Sequence, residues 1–283
     1  MEKHMESEIA AINQQSLKDK IKSYMKHPGS FILLLLVLIA AVLTVGVLVF
    51  LVGYILIRGI PYLKPSLFAW TYNSDNVSML PAMINTLFMT VLALLLSVPF
   101  GVGAAIYLVE YAKKGNKLVG IIYGLFGMLF FVTALKWGYS MMAGAATLAI
   151  MVLPVIMRTT EEALLCVPDS FREGSFGLGA GKLRTIFKIV LPSAIPGILS
   201  GIILAIGRIV GETAALIYTS GTVANLAGFF DSGRTLAIHM YSLSREGMHT
   251  NEAYATAVVL LVVVLIINGV SSLIAKKFEA PKQ

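Results

Sequence analysis

The chain has 283 residues, of which 57% are hydrophobic and only 13% charged, a balance that no soluble domain of this length accommodates and that makes the lipid bilayer its solvent. The net charge of +7 follows the membrane topology and does not point to nucleic acid. The single cysteine, Cys166, excludes an intramolecular disulfide framework. His4, His27, His239 and His249 lie in tails and loops without metal-ligand spacing, so no metal site is expected.

Six apolar spans are read in chain order, and each must be helical wherever it meets hydrocarbon. After a polar tail (1–30) comes the first span, 31–57, which is longer than the apolar core of a cleavable signal peptide. The others fall near 82–108, 119–135, 141–157, 197–219 and 254–275, followed by a short tail, 276–283. With the N-terminus inside, sixteen Lys and Arg residues lie on the cytoplasmic side and five (Arg58, Lys64, Lys136, Arg234, Arg245) on the outer side. Arg208 falls within a span. Both termini are therefore expected in the cytoplasm, together with the 158–196 loop.

Two loops, 58–81 and 220–253, are expected outside. Trp70 and Tyr72 read either as interfacial anchors or as part of a docking surface for a soluble protein. In the second span, Asn85 and Thr86 read as helix–helix hydrogen-bonding groups.

The most informative segment is the polar, basic stretch 173–192, EGSFGLGAGKLRTIFKIVLP. Ser170-Phe171-Arg172-Glu173 matches a capping box, in which Ser170 caps the first free amides and Glu173 folds back. The short helix that follows is expected to place Phe171, Ser175 and Leu178 on one face. Gly177, Gly179 and Gly181 then supply a turn, and 182–191 restarts an amphipathic helix before Pro192. Taken alone, this pattern also suits a helix lying on lipid headgroups. The string GLGAGK is not a phosphate loop: Phe176 stands where the Walker pattern needs Gly, and Leu183 where it needs Ser or Thr. ATP hydrolysis by this chain is not expected.

In the fifth span, winding at 100° per residue gathers Gly197, Gly201, Ala205, Arg208, Glu212, Ala215 and Thr219 into one arc. Arg208 and Glu212 read either as a buried pair fixing helix packing or as a station on an anion path, with the forked guanidinium meeting an oxyanion. Arg158, beside Thr159 and Thr160, reads as a positive-inside anchor or as a second anion station at the cytoplasmic mouth.

The spacing Glu173, Gly174, Ser175, Gly179, Ile189, Leu191-Pro192 resembles the EAA signature, E-A-A-x3-G-x9-I-x-L-P, by which permease subunits of bacterial ABC importers dock onto their ATPase. Gly174 and Ser175 stand where the signature has alanines. The strings IMVLPVIMRTTEEAL, VPDSFREGSFGLGAGKLRT, IVLPSAIPGIL and LAIGRIVGETAALIY resemble the PstA type of phosphate ABC transporter permease, with weaker similarity from about residue 81 to the C-terminus. That resemblance implies an all-α integral membrane protein of the type I importer fold, with a permease core over 82–275. It also implies partners: a second permease of PstC type, ATPase subunits of PstB type that carry ATP and Mg, and an extracytoplasmic phosphate-binding protein of PstS type. No cofactor on this chain is implied. Where it departs, the segment between Lys117-Leu118 and Tyr123-Gly124 is shorter than the resemblance implies, leaving LVGIIYGLFGMLFFVTAL to cross alone. Open alternatives are a permease for molybdate or sulfate and, from another class, a stand-alone channel or secondary transporter.

Overall fold

The computed structural model describes residues 28–111 and 128–278. Every regular element among them is helical, and the chain divides into residues 1–56 and 57–283. Helix α1 (Pro28–Gly59) has an almost unbroken apolar sequence, and most of its large side chains from Phe31 onward are exposed, as a helix solvated by lipid requires.

The second unit is built on four long helices. They are α2 (Leu80–Glu110), α3 (Met141–Leu165), α6 (Leu191–Gly211) and α9 (Thr250–Phe278), with shorter elements at their ends. Between α3 and α6 lie α4 (Asp169–Gly177) and α5 (Lys182–Thr185). After α6 come α7 (Ala214–Ile217) and α8 (Leu236–Glu246). α3 is the most buried helix, packed on α2 and α6, and α9 packs on α6 and α8.

Small residues let α3 approach its neighbours closely. Ala143, Ala145 and Ala146 are buried, and a Cβ on Gly144 would stand 2.8 Å from the Met89 side chain. Ser140 starts the helix by accepting the amide of Ala143 at 3.2 Å. The main core joins Met89, Met141, Leu148, Val152, Ile156, Ala205 and Ile209 across α2, α3 and α6.

Among the described residues, five helices are long and apolar enough to cross a membrane. The third span expected at 119–135 falls mostly outside the described residues, and its described part, Met128–Ala134, is a π-helical turn. The fifth span differs from the 197–219 expectation: it is continuous from Lys182 to Gly211. Pro192 does not stop the helix. It has no N–H for the carbonyl of Lys188, and its ring crowds that turn, so the helix widens into the π-turn Ile186–Val190 and continues. At the other end the helix closes at Gly211, because Glu212 is extended (ψ 127°). The fourth span runs on to Leu165, two turns beyond the expected 157, which leaves Arg158 inside it and not at its end.

The 58–81 and 220–253 segments fold together at the Leu80 end of α2. Asn85 donates to the carbonyls of Asn225 and Arg234 and accepts the amide of Ala227, while Thr86 accepts the amide of Leu236. Asn85 therefore pins a loop, a correction to the expected helix–helix bond, whereas Thr86 joins α2 to the start of helix α8. Tyr72 is not a lipid-interface anchor either: its ring covers the Arg234 guanidinium at 4.4 Å.

Candidate functional site

At the other end of α2, about 45 Å away at 1.5 Å per residue, the segment Val167–Val190 forms a compact projection. Its first helix, α4, begins at Asp169 with Pro168 as the N-cap and no side-chain cap. The capping-box expectation fails because Pro168 already sets the extended turn before the helix, placing Ser170 inside it as an exposed residue.

Arg172, which the motif reading passed over, secures the projection. Its Nε donates to Glu110 at the end of α2 (3.2 Å), and Nη1 donates to the Val167 carbonyl (2.9 Å) and to Asp169 (3.1 Å). Nη2 donates to the Leu164 carbonyl (3.0 Å) in the last turn of α3. The Arg172 and Glu110 side chains are only 15% and 10% exposed, so this pair is shielded from solvent. Lys182 reinforces it from α5 by donating to the Glu110 carbonyl and lying 4.5 Å from the Tyr111 ring centroid. A basic residue three positions into a helix that follows a polar break was the available signal for Arg172, although its acidic partner lies 62 residues away and sequence spacing does not disclose it.

The motif residues divide into two groups. Ser175 is buried and its hydroxyl meets that of Thr185 at 2.8 Å, which ties α4 to α5. Gly179 has φ +82°, a left-handed turn in which glycine carries no Cβ penalty; Gly177 and Gly181 have no positive φ. Ile189 in the π-turn and Leu191 at the start of α6 are half-buried, and Leu191 packs on the core of Leu164, Val167, Val190 and Ala194. Ser170, Phe171, Glu173, Gly174 and Pro192 remain exposed. Of Phe171, Ser175 and Leu178, expected on one face, only Ser175 is buried, and Leu178 is 91% exposed at the helix end. Phe171, Phe176, Leu178, Leu183 and Phe187 instead give this small polar element an exposed apolar surface.

Arg208 and Glu212 are separated from this projection and from each other. Arg208 is exposed in the last turn of α6, a position favoured by the helix dipole and not mid-span. No hydrogen bond or ion pair joins its side chain to any described residue. Glu212 lies beyond the helix end and accepts the amide of Ala215 at 3.1 Å, so the expected i,i+4 pair does not form. The small residues of the arc have another use. Gly201 and Gly197 face Thr159 and Ala163 of α3, and a Cβ on Gly201 would come within 2.7 Å of the Thr159 Cβ. Arg158 pairs with Glu162 at 3.1 Å, with both side chains well exposed. Among the described residues, no group of three or more His, Cys, Asp and Glu side chains could hold a metal.

Residues 71–280 match the family described as binding-protein-dependent transport system inner membrane component. The chain is 32% identical over 279 residues to the probable ABC transporter permease protein YqgI of Bacillus subtilis, covering 86% of this chain and 95% of that one. It is 35% identical over 209 residues to the phosphate transport system permease protein PstA 1 of Mycobacterium tuberculosis, covering 68% and 69%. The fold is shared with a bacterial ABC transporter involved in the import of the acidic polysaccharide alginate, with a TM-score of 0.62 at 16% identity over 92% of this chain and 100% of that one.

Proposed function

We propose, since this chain belongs to the binding-protein-dependent transport system inner membrane components, that it is the permease subunit of an ATP-driven phosphate importer. It is an all-helical, multi-pass membrane protein, and the ATPase of such a system is a separate subunit. The coupling assignment is carried by one observation: a short helix held from beneath by Arg172 presents Phe171, Phe176 and Leu178 outward. A surface of that kind suits a groove on an ATPase, because apolar side chains supply contact area while the shielded Arg172–Glu110 pair transmits displacement to α2.

In this reading the projection lies in the cytoplasm with both termini, and the folded 58–81 and 220–253 segments face a phosphate-binding protein outside. The full transporter contains a second permease of PstC type, ATPases of PstB type carrying ATP and Mg, and a binding protein of PstS type. ATP favours one arrangement of the ATPase pair, and its differential affinity for the two states rocks the helices between outward and inward access. Arg208 meets the oxyanion on the exposed face of α6, where a second permease completes the path; the lack of a carboxylate partner among the described residues supports that role. Glu212 orients the break after α6, and Arg158 lies further along the same route.

The test is ATPase activity of the reconstituted complex with its binding protein loaded with phosphate, molybdate or sulfate. Stimulation by phosphate alone is expected. Stimulation by molybdate or sulfate in preference to phosphate refutes the substrate assignment, and failure of the chain to co-purify with any ATPase refutes the coupling.

A further inference from the structure

The Leu80 end of α2 holds a buried cationic cluster that neither the projection nor the proposed path uses. Arg234, just before α8, is 5% exposed, yet its Nε and Nη2 have no acceptor. Among the described residues no carboxylate lies within ion-pair distance of it. The hydroxyl of the adjacent Thr235 is buried without a partner, and neither ring nitrogen of the fully buried His239, one turn along α8, makes a hydrogen bond of full geometry, the Val77 backbone giving it only a weak contact. Tyr72 connects the group: its ring lies 4.4 Å from the Arg234 guanidinium carbon and makes an edge contact with His239, centroids 6.1 Å apart.

A buried guanidinium needs both neutralisation and acceptors, and this cluster supplies neither. The Tyr72 ring face attracts the charge but offers no lone pair to Nε–H or Nη2–H. The eleven-residue α8 starts at Leu236, so its positive end adds to the excess. His239 does not relieve the guanidinium. Burial first and the Arg234 charge second push its pKa down to about 3, against a smaller opposing contribution from the Val77 backbone, so it is neutral and carries one ring N–H. Thr235 can donate as well. The missing component is therefore a negative charge that accepts hydrogen bonds. A water molecule accepts but does not neutralise.

We propose that Arg234, Thr235 and His239 form a binding site for a small inorganic anion of chloride size, which locks the start of α8 to the Tyr72 segment. The three residues are buried and none belongs to the phosphate path proposed above, so this site is separate from the transported phosphate. An anion here stiffens the same folded end that the proposed function assigns to the binding protein, although its existence does not depend on that assignment.

The experiment is thermal unfolding of the full-length protein in detergent, titrated with sodium chloride against sodium gluconate at constant ionic strength. Phosphate is a third arm. Wild type is expected to gain a saturable rise in Tm with chloride over gluconate. Arg234→Met should abolish the rise, and His239→Leu, an apolar replacement at a buried position, should raise the half-saturating chloride about tenfold by removing one hydrogen bond to a charged group. If Arg234→Met does not fold, the His239→Leu titration decides alone. Equal Tm in chloride and gluconate overturns the site. So does a chloride response unchanged in His239→Leu, or a response to phosphate without one to chloride.

Discussion

Replacing Arg172 by Met separates a coupling element from a surface helix. The substitution keeps much of the aliphatic stem but removes the donors to Glu110 and to the Val167 and Leu164 carbonyls. The contact with Asp169, whose side chain is 86% exposed, contributes little and is left out of the reckoning. Removing one partner of a shielded pair costs about 3–5 kcal/mol, because the Glu110 charge then stays 90% buried and unpaired. A nine-residue helix has no comparable stability of its own. Residues 168–181 should therefore open locally while the long helices remain inserted. At tenfold per 1.4 kcal/mol, their amide hydrogen exchange should accelerate about a hundredfold or more. Uptake should fall with it, and ATP hydrolysis by the complex should cease to respond to substrate. Adding Glu110→Gln to Arg172→Met removes the stranded charge and should recover part of the exchange protection. Unchanged exchange together with wild-type uptake in Arg172→Met refutes the reasoning, whatever the membrane level of the protein.

Gly179→Leu should cost about 1–2 kcal/mol through backbone strain alone, since φ is +82° and a Cβ there meets nothing within 4 Å; uptake should fall, whereas Gly179→Asn keeps it, and equal uptake by both variants removes the turn argument. Arg208→Gln should abolish uptake in an assembled complex, and adding Glu212→Gln should not restore it because the two side chains are not paired; rescue by the double variant assigns Arg208 to packing. His239 is depressed from 6.5 to about 3 in the folded protein, so the unfolded chain binds the extra proton first and stability falls as pH drops below 6.5. Measured in gluconate, the loss by pH 5 should be roughly 2 kcal/mol, and it should be absent in His239→Leu; identical pH profiles contradict the buried neutral imidazole. In a Cys166→Ser background, Phe230→Cys should react with an impermeant maleimide from outside and Ser170→Cys should not; the reverse pattern inverts the topology.

Much of this architecture was legible from local chemistry. Long apolar runs must become helices because a backbone in hydrocarbon has to satisfy its own hydrogen bonds, and the spans around 31–57, 82–108, 141–157 and 254–275 each contain the centre of an observed helix. Gly179 was legible for a similar reason, as the left-handed turn it occupies penalises a side chain. The helix ends were less so. Pro192 reads as a stop, yet a π-turn absorbs it, and the i,i+4 rule that pairs Arg208 with Glu212 holds only while the helix continues past Gly211. Arg172 with Glu110, Ser175 with Thr185, and Arg234 with Tyr72 lie beyond any local pattern. Local rules act over one or two turns, so the sequence by itself determined the membrane class and the apolar runs from which the long helices form. Which charged groups are buried, and against what, was decided only when the tertiary structure brought distant ends of the chain together.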